Sequence, residues 1–129
     1  MSVAGAPFDP GEWPRFVQLA SFQRRAAQAA WRDADLRALE SAILRNPRGH
    51  PVIPGTGGLR KLRFAQAGGG HGKSGSFRVC YVHFEAHGIV LLVTLYGKGE
   101  KADLTAAETH RVAALIRDIQ GRLDRGDIR

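Results

Sequence analysis

The chain has 129 residues, 43% of them hydrophobic, and carries a formal net charge of +7. That length and apolar content suit one domain with a real core, which excludes wholesale disorder. The single Cys80 excludes an internal disulfide. The longest apolar stretch, Ile89 to Leu95, falls far short of the roughly 20 residues a membrane helix needs. With no basic segment followed by an apolar core at the N-terminus, these features lead to the expectation of a cytoplasmic protein without a secretory signal.

The charge is unevenly spread. Residues 1–58 hold seven Lys/Arg against five Asp/Glu, residues 59–101 seven against two, and residues 102–129 five against five. Most of the excess therefore sits in the middle third, where it would attract polyanions by steering and counterion release.

Along the chain, residues 1–14 are broken by Gly5, Pro7, Pro10, Gly11 and Pro14 and read as an irregular arm. Arg15 to Ala20 is a candidate first strand, with Val17 and Leu19 on one side. Ser21 reads as a helix N-cap, followed by Phe22, Ala26, Ala29 and Ala30 at helical spacing. Asp33 or Asp35 can cap a second helix that carries Leu36, Leu39, Ile43 and Leu44. Asn46-Pro47 ends it, because proline disfavours helical geometry in the residue before it. Residues 47–58, with three prolines and four glycines, form a connecting loop.

Leu59 to Phe64 reads as the second strand. Period-two alternation puts Leu62 and Phe64 on one face and Lys61 and Arg63 on the other. One face can join a core while the other shows cations to something anionic, with phosphate the first candidate. Arg60 falls on the core-side parity, which leaves it at most a substrate contact. Ala65 to Ser76, with five glycines, reads as a hairpin loop, and Phe77 to Phe84 as a third strand rich in aromatic and β-branched residues. His87-Gly88 makes a turn into Ile89 to Tyr96, a fourth strand apolar on both faces and therefore central. Thr105-Ala-Ala-Glu108 is a capping box, and Val112, Leu115, Ile116, Ile119 and Leu123 make the apolar stripe of a final helix. The tail after Leu123 is polar and expected to fray. The resulting order, β-α-α-β-β-β-α, implies an α+β domain over residues 15–123 with a mainly antiparallel four-stranded sheet.

Several motifs fail on inspection. Gly72-Lys73-Ser74 resembles the end of a phosphate-binding P-loop, but that pattern requires glycine where Ala67 stands and a strand-to-helix context. His83 and His87 span a strand end and a turn without an acidic or cysteine partner, so no metal is expected. Cys80, within an apolar strand, reads as a buried inert thiol, and no nucleophile-elbow pattern supports Ser-His-Asp chemistry. One constellation remains. Lys61 and Arg63 leave one strand, Lys73 lies in the adjoining loop, Arg78 opens the next strand, and the fourth strand ends in Tyr96-Gly97-Lys98-Gly99-Glu100-Lys101. Cations gathered around a phosphodiester can stabilise a pentacoordinate transition state. A lysine crowded by other cations, or a tyrosine, can exchange a proton.

These stretches resemble the RelE/HigB toxins of bacterial type II toxin–antitoxin systems. The likeness is carried by Val52-Ile-Pro-Gly-Thr-Gly-Gly-Leu-Arg-Lys-Leu-Arg63, by Gly72-Lys-Ser-Gly-Ser-Phe-Arg-Val79 and by Leu92-Val-Thr-Leu-Tyr-Gly-Lys-Gly-Glu-Lys-Ala-Asp-Leu-Thr105, in that order. The resemblance runs from about Arg15 to Leu123 and implies a compact RelE/ParE-type fold. It further implies an mRNA endonuclease that acts in the ribosomal A site, where the RNA 2′-hydroxyl attacks the adjacent phosphate without metal or cofactor. The family's second-strand lysines fall on Lys61 and, replaced by arginine, Arg63. Its third-strand arginine falls on Arg78, and its cationic segment on Lys98 and Lys101. Arg60, Lys73 and Phe77 are the implied RNA contacts, Phe77 by stacking on a base. The implied partners are the ribosome, its mRNA and a neighbouring antitoxin of helix-turn-helix type, with no membrane. The sequence departs from the pattern at Gly99, where an arginine is expected. Its role as acid would then pass to Lys98, Lys101 or Tyr96. The alternatives from the same residues are a ParE-like poison of DNA gyrase and a non-catalytic RNA- or ribosome-binding module.

Overall fold

The structure is a computed structural model that describes residues 13–66, 76–97, 99–100 and 103–128. Its elements follow as strand β1 (Arg15–Gln18), helices α1 (Ala20–Gln28) and α2 (Asp33–Arg45), and strands β2 (Arg60–Ala65) and β3 (Ser76–Phe84). A 3-10 turn, Glu85–His87, leads into β4 (Ile89–Gly97), and helix α3 (Ala106–Asp124) closes the chain. The fold is α+β. Its single sheet has the strand order β1-β4-β3-β2. β1 lies parallel to β4, with Arg15 opposite Ile89, while the β4–β3 and β3–β2 pairings are antiparallel. The sheet is therefore mixed. β4, whose residues are almost all buried, occupies an interior position, as its two-sided apolar sequence requires.

Each face of the sheet carries a core. On one side α1 and α2 bring Phe22, Leu39 and Ile43 onto Leu62, Phe64, Phe77, Val79, Tyr81, Val90, Leu92 and Leu95. Trp31, between the two helices, packs its ring 5.1 Å from Phe64 and 5.5 Å from Phe77. On the other side Ile116 and Leu123 of α3 cover Cys80, Val82, Phe84, Leu91, Val93 and Tyr96. Each such side chain, fully buried, contributes about 1.5–3 kcal/mol.

Strict alternation fails once, in β4. Cys80 faces Thr94, but Tyr81 faces Leu92, so Val93 is an extra residue opposite β3. The bulge lets Leu92 and Leu95 share the α1/α2 face and turns Tyr96 onto the α3 face. Without it, Tyr96 would follow the parity of Leu92.

Helix ends differ from the sequence expectation in three places. α1 begins at Ala20 with Leu19 as N-cap, and Ser21, instead of capping, donates its hydroxyl to the carbonyl of Val93. The first strand accordingly stops at Gln18. α2 has Arg32 at its N-cap, and of the two aspartates it is Asp35 that turns back to accept from the Arg32 backbone N–H at 2.8 Å. α3 ends in a cap that the polar tail sequence did not announce. Asp127 N–H bonds to Arg122 O and Gly126 N–H to Leu123 O, the Schellman pattern, with Gly126 at φ 77° where a side chain would be strained. The Thr105/Glu108 capping box forms as its spacing predicts, with bonds of 3.1 and 2.8 Å. Among the described residues no helix is long and apolar enough to cross a membrane.

Candidate functional site

The register of three strands assembles the site. Arg63 of β2 lies directly opposite Arg78 of β3, and Arg78 directly opposite Tyr96 of β4. One step along the strands, Lys61, Cys80 and Thr94 form the next row. Both rows belong to the α3 face, since Cys80 and Tyr96 pack into the core under that helix. Arg63 is exposed and Arg78 partly so. Like charges placed opposite each other on neighbouring strands cost of order 0.2–1 kcal/mol, about what an opposite-charge pair there would contribute. A protein gains nothing in fold from that arrangement, whereas an anion bridging the two guanidiniums would reverse its sign.

The segment that leads into β2 is built to fix this strand. Thr56, fully buried, donates its hydroxyl to Ile53 O at 2.6 Å and accepts from Leu59 N–H at 3.0 Å. Gly57 and Gly58 follow at φ 79° and 132°, conformations that exclude most side chains. Pro51 O then accepts from Lys61 N–H at 3.0 Å, so the loop also covers part of the strand's outer edge. The glycine-rich lead-in is thus a closed turn that sets where the cationic strand begins.

Beyond β4, Gly97 N–H donates to a Glu100 carboxylate oxygen at 2.8 Å, and Glu100 N–H returns a bond to Gly97 O. Arg25 of α1 holds the same carboxylate and also donates to Leu95 O. Asp103, further along this loop, accepts from Lys61 Nζ at 2.8 Å. Lys61 therefore meets an anion from its own chain.

Tyr96 is the β4 member of the first row. It is 1% exposed, and its hydroxyl is pushed up to about 12, first by burial and then by the Cys80 thiol and Asp103, against the pull of Arg78. At neutral pH it keeps its proton, which suits a donor and not a base. The register sets it beside Arg78, as the sequence led one to expect, but its ring is buried and not exposed.

Two further expected contacts stand apart. Arg60 is on the opposite face, where it donates to His50 O at 2.7 Å and faces Tyr81 across β3. There it helps to lower the His50 and His83 imidazoles, both held below the ordinary range chiefly by burial. Phe77 is buried in the Trp31 cluster, so its ring is committed to core packing instead of being offered to a base. Lys73, Lys98 and Lys101 lie outside the described residues. Among the described residues no three His, Cys, Asp or Glu side chains gather as a metal site would require. His83 sits with Arg48, Arg60 and Glu85, while His87 pairs with Asp124 at 2.9 Å.

Sequence reasoning missed Asp103 and the Arg25–Glu100 clamp. Asp103 stood within a motif already singled out, where it was one acid in a cationic segment. Nothing in the helical pattern of α1 distinguishes Arg25 from its neighbour Arg24. A recess of about 480 Å³ beside Arg15, His87, Leu123 and Ile128 lies away from the cationic rows. Within the rows Arg63 is exposed, Lys61 and Arg78 are partly so, and Cys80 and Tyr96 are buried. A scan against protein-family models finds none that matches the chain.

Proposed function

We propose that this protein is a ribosome-dependent mRNA endonuclease, the toxin of a RelE/HigB-like toxin–antitoxin pair, acting in the cytoplasm. The observation that carries the reading is the opposed Arg63–Arg78 pair with Lys61 one row away on the same face. The three motifs resembling RelE/HigB toxins supply those same residues, and a single-stranded RNA backbone would supply an anion for the pair. In the proposed reaction the 2′-oxygen forms a bond to the adjacent phosphorus and the bond from phosphorus to the 5′-oxygen breaks. A proton leaves the 2′-hydroxyl and another reaches the departing 5′-oxygen, giving a 2′,3′-cyclic phosphate and a 5′-hydroxyl. Arg63 and Arg78 would bind the non-bridging oxygens, and Lys61 would offset the charge that builds in the transition state. Tyr96 would flank Arg78 on β4. Translation arrest would follow, and an antitoxin with an acidic segment would neutralise the patch.

Expression in cells followed by mapping of mRNA 5′ ends against reading-frame position tests the proposal. Cleavage within codons at stalled ribosomes is expected. Lys61→Ala or Arg78→Ala should reduce it by roughly 10²-fold, the usual effect of losing one transition-state donor. Intact mRNA and normal growth on expressing the wild type would overturn the proposal. Intact mRNA with a DNA-damage response would replace it with a gyrase poison, and salt-sensitive RNA binding without cleavage with a binding module.

A further inference from the structure

Asp103 occupies the place on Lys61 where an anionic oxygen would otherwise sit. Its Oδ1 accepts from Lys61 Nζ at 2.8 Å, and the aspartate side chain is 68% exposed against 27% for the lysine. The loop that carries it is pinned on both sides. Upstream, Glu100 is bound to Gly97 N–H and to Arg25. Downstream, Leu104 packs into the α3-side core and Thr105 caps α3. The carboxylate meets Lys61 from an exposed position and can leave into solvent without disturbing the core.

From this geometry we infer that Asp103 is a built-in substitute for the substrate phosphate: it holds Lys61 in position and must be displaced when RNA binds. The inference rests on the RNA-cutting reading for the identity of the displacing anion. A carboxylate and a phosphate both offer a charged oxygen to an ammonium, so the exchange conserves the bond to Lys61. An exposed ion pair of this kind is weak, so a phosphate can compete. A small anion would gain only what Asp103 gives up. An RNA backbone can engage Arg63 and Arg78 at the same time, so it more readily meets the cost of displacing Asp103.

The test is a double-mutant cycle on binding, using a short 2′-O-methyl oligoribonucleotide, which cannot be cut, and inorganic phosphate as probes. Asp103→Asn should bind the oligonucleotide about two- to five-fold more tightly, the range expected for removing one exposed competing pair. It should improve phosphate binding by at least as large a factor. In a Lys61→Met background the same Asp103→Asn change should give no gain. A gain that persists without Lys61 would mean a general charge effect and would overturn the proposal, as would weaker binding by Asp103→Asn. Cleavage on programmed ribosomes gives an independent arm. If Asp103→Asn binds RNA normally but loses cleavage by orders of magnitude, Asp103 is itself a proton acceptor and not a place-holder. If the wild type fails to cleave at all, the RNA-cutting reading falls, while the phosphate cycle still decides the role of Asp103.

Discussion

Raising the pH should unfold this protein through its two tyrosines. Tyr81 and Tyr96 are the only ones in the chain, both are buried, and both are pushed up to about 12. For each the leading cause is burial, which penalises the phenolate. An unfolded chain releases the same protons near pH 10, so between about pH 10 and 12 the folded state binds more protons than the unfolded one. Stability is accordingly intact below about pH 10 and falls as pH rises through that window. Each shift, from 10.0 to about 12, corresponds to roughly 2–3 kcal/mol at about 1.36 kcal/mol per unit. The pair together reaches about 5 kcal/mol, comparable with the lower end of the total stability of a small domain. The assay follows tyrosinate absorbance and far-ultraviolet circular dichroism on one sample during an alkaline titration. Tyrosinate should appear only as the secondary structure is lost, in one steep transition. One tyrosine ionising with a midpoint near pH 10 while the dichroism stays native would refute the argument. It would also return Tyr96 to the list of groups able to accept a proton. Tyr96→Phe and Tyr81→Phe assign the two halves of the signal, and the second also removes the 2.9 Å bond to Pro47 O.

Arg63→Ala should separate stability from function. Removing one of two opposed cations should raise the unfolding free energy by about 0.2–1 kcal/mol in a denaturant titration while RNA binding weakens. Lower stability with unchanged binding would show that the pair serves the fold. At Gly99 an added Cβ meets nothing within 4 Å, so Gly99→Arg should fold like the wild type and raise cleavage on programmed ribosomes. Unchanged or lower cleavage with an unchanged melting curve would count against a cationic role at this position. At the acid end, His50 and His83 are held low mainly by burial, so their contribution is present above about pH 6.5 and lost as pH falls through their folded values. Melting temperature should therefore drop between about pH 7 and 5, and replacing both histidines by glutamine should flatten that drop.

The element order was legible because each element carries its own local signal. The apolar stripe of α3 starts at a true capping box, β4 is apolar on both faces, and Asn46-Pro47 stops α2. The cationic face of β2 followed from alternation alone. What could not be read was anything set by partners distant in sequence. Ser21 has the chemistry of an N-cap, but a carbonyl of β4 takes its hydroxyl. The parity of Tyr96 depends on a bulge at Val93, which no pattern within β4 announces. Phe77 reads as an exposed aromatic at a strand start until Trp31, more than forty residues earlier, is seen against its ring. The Lys61–Asp103 contact likewise joins two segments whose charges looked independent.

The parallel pairing of β1 with β4 constrains how the chain can be assembled in time. Arg15 finds its partner only at Ile89, and α1 is tied to the same late strand through Ser21 and Arg25. Loop closure over that span must be met before these contacts stabilise anything, which makes this the slow, non-local part of folding. The β2–β3–β4 meander that carries the cationic rows needs only neighbouring strands. A nascent chain therefore holds its first strand and helix unpaired until β4 has been synthesised. The sheet becomes complete only when the strand that supplies Tyr96 arrives, so one end of the cationic row and the anchor of the N-terminal half are installed in one event.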